Sequence, residues 1–590
     1  MRYPKLREIA HDKQYIDSFG GYNHNVRIGD GEFYDVVNMT SDAFPLLKVR
    51  DPHGVYVEDE ADGMISKDEL CYVSGGEFIM GDSHVDLGLS SSLKTLVSMG
   101  AYVIIFPDKK YVNTADLSDY GSIAAQCGGN AAVISNCTED GTQIPNALIT
   151  ISETQPETGK NGYYWINTST TPATMFRYSG ESGEWFDIKG YLRISSEYIT
   201  DEFSEGDSVR LDGFFNETLD IDGYHSIVAA GRDATAIGAE KRFIAVQGVM
   251  PALSLNIATE FTISRDAPDM DFVIEANNRL WGCKYGYVDG KLVNEIYASK
   301  LGDFRNWRNY AGISTDSYAA SVGTDGPFTG AVNYVGFPLF FKERCVHKVY
   351  GTIPSNFQIQ TDTLNGVQEG CAKSLAVVNE VLYYKSRSGI CAYDGSLPTV
   401  ISEKLGDETY GNAVGGSFRS KYFITMRQSG ISYDFIYDTA RGIWHRSHVP
   451  QRIVEYCAHK DEMYFLTDPA FDGSFIGTVY GQEQDSDLAE KKVYWTAESG
   501  MIGLYTNDKK ALASLSVRIK VALGTRVRFY AEYDSSGCWE PICSFVGTGI
   551  KVVNMPIIPR RCDHFRIKIE GEGPATLFSI CKTIEEGTEL

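Results

Sequence analysis

Between residues 338 and 481 one strand pattern returns four times at a nearly fixed interval, and that period restricts the possible folds more than any other feature of the chain. The aromatic segments PLFFKER around Phe340, VLYYKS around Tyr383, KYFITM around Phe423 and MYFLTD around Phe465 lie 43, 40 and 42 residues apart. A second series trails the first: KVYG at Tyr350, CAYDG at Tyr393, FIYDT at Tyr437 and TVYG at Tyr480, spaced by 43, 44 and 43 residues. Two markers recurring in phase predict one supersecondary unit used repeatedly. A repeat of about 40–45 residues with four short strands is the size of a propeller blade. Each blade buries a sheet face on each neighbour, which calls for bulky, flat residues at equivalent positions, and aromatic rings supply that area. The competing reading is a generic β-sandwich whose strand spacings agree by coincidence; the in-phase double series favours the propeller.

An earlier unit fits the pattern, with NRLWGCKYG around Trp281 followed by NEIYASKLGD at Tyr297. The step of 53 residues from Tyr297 to Tyr350 predicts a longer loop, placed in the Gly-rich stretch 311–330. MGAYVIIFPDKKYVN (residues 99–113) reads as a further blade core, which brings the expected total to about six. From 131 to 258 the period is lost. Short strands there are broken by GD and DG turns, as in ITDEFSEGDSVRLDGFFNETLDIDGYHSIVAA, which predicts a small β-barrel or sandwich inserted between blades. Near the end, Leu515, Val517, Ile519, Val521 and Leu523 alternate with polar or small residues, Gly524-Thr525 allows a turn, and Phe565, Ile567 and Ile569 repeat the alternation. One buried and one wet face predict an antiparallel sandwich. The expected fold is therefore all-β: a propeller of about six blades, an inserted β domain and a C-terminal antiparallel β-sandwich. The divisions are 1–50 as an N-terminal assembly arm, 51–130 as the first propeller part, 131–258 as the insertion, 259–487 as the main blades and 488–590 as the sandwich.

Charge narrows the function. With 54 Lys and Arg against 78 Asp and Glu among 590 residues, the net charge is −24, and such a surface repels phosphates. That disfavours a protein that clings to DNA but suits a channel wall past which a duplex slides. The start, MRYPKLREIAHDKQYIDSFGG, lacks the apolar core of a signal peptide, and the longest apolar stretch, near residues 96–106, is too short to cross a bilayer as a helix. Twelve cysteines without a CxxC pair read as free thiols of a reducing cytoplasm.

Chemistry-bearing motifs are weak. Asp220-Ile221-Asp222-Gly223 lacks the third carboxylate and distal Glu of a calcium loop and reads as a turn. Glu58-Asp59-Glu60-Ala61-Asp62-Gly63 reads as a solvated loop. His445 and His448 fall on opposite faces of a strand, and Cys538 and Cys543 have no partner pair at zinc spacing. There is no GxSxG, HExxH or GxxxxGK[ST] motif. Arg560 and Arg561 form a basic spot, read either as a strand entry paired with nearby acids or as a contact to another subunit. The reading names no catalytic, metal or cofactor-binding residue and expects no cofactor.

Four segments carry a family resemblance: NVRIGDGEFYDVVNMTSDAFPLLKVR (residues 25–50), NRLWGC…NEIYASKLGDFRNW, the blade ending AYDGS (392–396), and IPRRCDHFRIKIEGEG (558–573). They resemble the tail proteins of phages and prophages and are similar to the nozzle, or tail tubular, proteins of short-tailed phages. The resemblance implies a non-enzymatic virion structural protein of the tail tube end, assembled in the host bacterial cytoplasm. It implies a homo-oligomeric ring, often hexameric, with other tail and portal-adaptor proteins as partners, DNA as passing cargo only, and residues 25–50 as an assembly arm or a strand closing the propeller. Two alternatives stand beside it. One is a receptor- or carbohydrate-binding tail module using Tyr163, Tyr164 and Trp165; the other is a polysaccharide-degrading propeller with carboxylates drawn from distant blades.

Overall fold

The second strand of nearly every repeat is buried along almost its whole length, which only a sheet covered on both faces can require. Phe337–Lys342, Val381–Ser386 and Glu462–Thr467 are buried at all or all but one position, and Lys421–Gln428 at its first six. The structure, a computed structural model, describes residues 11–215, 219–233, 241–288, 290–471, 473–481 and 486–586. The first ten residues of the expected arm, and part of the turn-rich stretch quoted from the insertion, lie outside the described residues.

Seven blades of four antiparallel strands are present among the described residues. Their first strands are Gly63–Ser66, Thr95–Met99, Phe272–Ala276, Gly330–Tyr334, Ala376–Val378, Gly411–Phe418 and Ile453–His459. These neighbour one another in sequence order, the fourth reaching the fifth through the turn Ala372–Ser374, and the seventh returns to the first, so the ring closes. A polar tie spans each of the seven interfaces. Lys67 donates to the Gly100 carbonyl (2.6 Å), Lys109 to the Ala267 carbonyl (2.8 Å), Asn333 to the Glu275 carbonyl (3.0 Å) and Tyr334 to the Glu380 carbonyl (2.7 Å). Tyr422 donates to the Ser374 carbonyl (2.7 Å), Thr425 and Tyr456 share a hydroxyl bond (2.8 Å), and Ser66 meets His459 (2.9 Å). Aromatic rings fill the space between: Phe341 on Tyr384 at 5.2 Å, Tyr383 on Tyr422 at 5.3 Å and Phe423 on Tyr456 at 6.1 Å. The double period is thus the second and third strands of each blade. About six blades were expected. The additional one is Gly63–Asp86, whose second strand, Leu70–Ser74, carries a single Tyr where the repeats carry paired aromatics.

The seventh blade takes its outer strand from the other end of the propeller sequence, Gly54–Val57 pairing antiparallel with Ile476–Thr478. The closing strand therefore follows residues 25–50. Residues 11–49 are not a free arm; their strands belong to the C-terminal sandwich. His11–Ile16 and Leu47–Val49 pair with Ala575–Glu586, and Glu32–Val37 pairs with Tyr494–Ser499. The physical reason is apolar burial: Phe19, Phe33, Val36, Leu47 and Val49 share one core with Leu515, Val517, Phe529 and Phe565. Val37 also pairs with Arg446 of blade six, so blade and sandwich form one continuous 15-stranded sheet.

Within the sandwich, the inward alternation of Leu515, Val517, Ile519 and Val521 is as read from the sequence, and all four are buried. Leu523, by contrast, is 88% exposed, and Gly524-Thr525 is not a hairpin turn. The strand runs unbroken over Lys510–Tyr533, with a register shift between Val521 and Thr525 and Gly524 at φ +82°. Its first half pairs with Ala575–Glu586 and its second with Phe565–Glu572. A bulge of this kind bends a strand so that it can serve two neighbours.

Between blades two and three, residues 125–265 build an eight-stranded sheet and a separate four-stranded sheet, Ile149–Ser152, Tyr164–Asn167, Thr174–Ser179 and Glu184–Ile188. The eight-stranded body rests on the long loop 299–317 of blade three. Asn306 donates to Asp207 (3.0 Å) and accepts from the Ser208 amide (2.8 Å), and Lys300 reaches the Gly206 carbonyl (3.0 Å). That loop, ahead of most of the Gly-rich stretch, accounts for much of the 53-residue step.

Substituting Val55→Asp places an unpaired carboxylate in the closing strand at a 5% exposed site. It is expected to lower the thermal midpoint by several degrees; an unchanged midpoint contradicts closure by this strand. The attachment of residues 35–42 to blade six is expected to weaken in acid. Burial alone would raise Asp42 and Asp438, but Lys421 outweighs it at Asp42, and Ser41 and Arg441 outweigh it at Asp438, so both carboxyls sit below their ordinary range. Burial, then the charge of Lys421, pushes the His445 imidazole down to about 3. The depressed carboxylates contribute stability above their unfolded pKa of about 4 and lose it as pH falls through the folded values. The neutral His445 loses its contribution below about pH 6.5, where the unfolded chain takes the proton first. Both shifts act in one direction. Amide exchange at Met39–Thr40, corrected for intrinsic rates, is expected to accelerate between pH 6.5 and 3; pH-independent protection contradicts it.

Candidate functional site

First strands converge on the propeller axis and leave a recess of about 470 Å3 at one end, lined from six of the seven blades. Its wall is mixed, with apolar side chains such as Leu96, Phe106, Met270 and Phe272 beside charged ones. Two carboxylates line it, and each is engaged. Glu455 accepts from Lys373 at 2.8 Å, and Asp271 accepts from Lys284 at 2.8 Å and from the Tyr285 amide. At the rim, the buried Lys94 donates to Asp108 (2.6 Å), Ser90 and Ser92. Burial tends to raise Asp108, but Lys94 and Ser90 outweigh it and hold the carboxyl below the usual range. Glycoside cleavage calls for one protonated and one ionised carboxyl facing a scissile bond.

A second recess, about 410 Å3, lies where the N-terminal segment meets the sandwich, floored by Ile28, Phe33, Ile502, Ile567 and Ile580. Lys582 crosses it to Asp30 at 2.6 Å. Sequence reasoning missed this cleft because its walls come from residues 14–33 and 497–582. No local motif marks it; only the shared burial pattern of the two ends could have brought them together.

The residues singled out from sequence fall as follows. Tyr164 and Trp165 are 8% and 5% exposed. Trp165 stacks on Phe176 at 4.7 Å, donates to Ser152 and meets Trp185 edge-on, so neither residue is free to stack on a sugar; Tyr163 is half-buried beside Lys160. Asp220 and Asp222 cap a turn, accepting from the Asp222 and Phe214 amides. Glu58, Asp59 and Glu60 are exposed in the loop that follows the closing strand. His445 is buried and accepts from the Ser41 amide, while His448 lies beyond the strand end with its amide donating to Asn38. Cys538 is exposed and Cys543 half-buried. Arg560 pairs with Glu540 at 2.8 Å and covers the Tyr533 ring, and Arg561 is exposed. Among the described residues no three His, Cys, Asp or Glu side chains are grouped to hold a metal ion, and no helix is long and apolar enough to cross a membrane.

No known protein family and no curated protein matches the chain. Solved structures give only remote similarity. An exo-beta-1,3-galactanase from Phanerochaete chrysosporium is 9% identical with a TM-score of 0.21, over 52% of this chain and 94% of that one. An acylaminoacyl peptidase from Pyrococcus horikoshii is 9% identical with a TM-score of 0.26, over 54% and 50%. An extracellular domain from B. thetaiotaomicron is 9% identical with a TM-score of 0.22, over 93% and 98%. Likeness at this level carries no argument about function, and the fold rests on the sheets themselves.

Replacing Trp165 by Ala is expected to destabilise the insertion by about 3–5 kcal/mol, the usual cost of removing a buried aromatic ring. The measurement is amide exchange across Tyr164–Asn167 and Thr174–Ser179. Unchanged protection would return Trp165 to the set of exposed binding residues.

Proposed function

We propose that this chain is a non-enzymatic structural protein of a bacteriophage tail, a wall element of the tube end or nozzle, working as a homo-oligomeric ring through which DNA passes. The observation that carries the reading is mechanical. Blades four to six and the sandwich share one hydrophobic core, running through Leu339, Tyr384, Tyr422, Trp444, Trp495 and Val517, so the two parts form one stiff block. The segments that resemble phage tail proteins lie in that block and its neighbour: residues 25–50 latch the sandwich to blade six, 279–307 begin in blade three, 392–396 end the third strand of blade five, and 558–573 include a central sandwich strand. An acidic wall that does not adsorb DNA suits passage. Partners are other tail and portal-adaptor proteins, and the place of action is the virion.

A second reading, a receptor- or carbohydrate-binding tail module, is favoured by one observation. The inserted four-stranded sheet carries the half-buried aromatics Phe176, Tyr178 and Trp185 on a single face. Negative-stain microscopy of the purified chain, alone and with tail partners, is expected to show rings or tail-like assemblies. A monomer under both conditions contradicts the structural reading. Glycan-array binding that Trp185→Ala abolishes would put the second reading first.

A further inference from the structure

The sandwich ends in a strand whose outer edge is bare. Glu540–Asn554 pairs with Lys510–Tyr533 on one side and with no other strand among the described residues. At about 3.4 Å per residue the edge runs roughly 50 Å. A long exposed edge with apolar residues is a template for pairing with another chain unless something covers it. Val546, Ile550 and Val552 on this strand are each more than half exposed. Their cross-strand partners are Arg526, Lys520 and Arg518, with Arg528 opposite Ser544, and directly opposed residues share a sheet face. The result is an apolar row flanked by four exposed cations. The nearest carboxylates, Glu570 and Glu572, stand opposite Arg528 and Arg526 but are already engaged by Lys568 and Lys492.

The charge of the whole chain says what fits this face. Residues 488–590 hold 14 Lys and Arg against 12 Asp and Glu, while residues 1–487 hold 40 against 66. We infer that the outer face of Lys510–Tyr533 and Glu540–Asn554 is a subunit interface that docks the acidic body of a second copy of this chain. The inference rests on the ring reading above and names the surface that builds the ring. Two copies of the same basic face would oppose like charges, so the contact is head-to-tail, and a head-to-tail contact closes into a ring when its rotation permits. Apolar residues at the centre with arginines around them match a protein interface better than a nucleic-acid one, which is wet and far more basic. At physiological salt the repulsion between two acidic chains is screened beyond about 8 Å, so local complementarity decides.

The test measures the oligomeric state of the full chain at micromolar concentration in 0.15 M salt, by sedimentation velocity, for wild type and two variants. V546D/I550D removes the apolar row, and R518E/K520E/R526E/R528E reverses the charge. All six side chains are exposed, so both variants are expected to keep the wild-type circular dichroism and thermal midpoint while associating at least tenfold more weakly. Wild-type amides of Glu540–Asn554 are expected to gain exchange protection on assembly, which supports the assignment even if one variant misfolds. If both variants assemble like wild type, or the edge gains no protection, the surface is wrong while the ring reading stands. If wild type stays monomeric, alone and with tail partners, both fall. If a short DNA duplex binds the monomer through this face and the charge-reversed variant loses it, the face is a nucleic-acid site and the inference is overturned.

Discussion

Burial on both faces of each blade is the constraint on which the rest of the structure depends. A four-stranded antiparallel sheet standing alone would wet one face, and its central strand would alternate apolar with polar residues. Here the central strands are buried almost throughout, so every blade needs a neighbour on each side. A row of blades that each need two neighbours has unsatisfied ends unless it closes. Closure at seven is achieved by first-strand contact between Ile453–His459 and Gly63–Ser66, and by Gly54–Val57 completing the last blade.

That closure sets the role of the N-terminal segment. Before supplying the closing strand, the chain passes through the sandwich and across blade six, where it makes a dense set of polar bonds. Ser41 donates to Asp438 at 2.6 Å, Lys421 reaches Asp42 at 2.5 Å, Arg446 pairs with Asp35 at 3.0 Å and Arg50 with Glu490 at 2.5 Å. Several partners are buried, so each bond is costly to break once made. The segment thereby joins the two ends of the chain to the middle of the propeller, and the sandwich cannot swing on a linker as an appended domain would.

Much of this was legible in the sequence, for identifiable reasons. The repeats around Phe340, Tyr383, Phe423 and Phe465 could be read because these four successive blades meet two-sided burial with aromatics at the same place. Leu70–Ser74 escaped notice because that blade packs Cys71 and Val73, with little aromatic area to repeat. The alternation from Leu515 to Val521 marked a half-buried strand, but the same pattern fits a hairpin or a bulge, and only the pairing of its two halves with different strands distinguishes them. The fate of residues 11–49 was not readable at all. The partners that tie them to the sandwich and to blade six lie more than 400 residues away, and no local pattern encodes a contact of that range. The recesses are equally silent, since each is assembled from distant loops. Tyr164 and Trp165 illustrate the complementary difficulty: an aromatic cluster in sequence looks the same whether it faces a ligand or a core.

A closed seven-bladed ring welded to its sandwich is the claim on which the functional reading stands, and native-state hydrogen exchange across the whole chain tests it most directly. The account predicts that Gly54–Val57, Ile476–Thr478 and Gly63–Ser66 exchange as slowly as the central blade strands, and that Glu32–Val37 is protected together with Tyr494–Ser499. Rapid exchange confined to Gly54–Val57 and Gly63–Ser66, with the other blades protected, would mean an open ring and would contradict it.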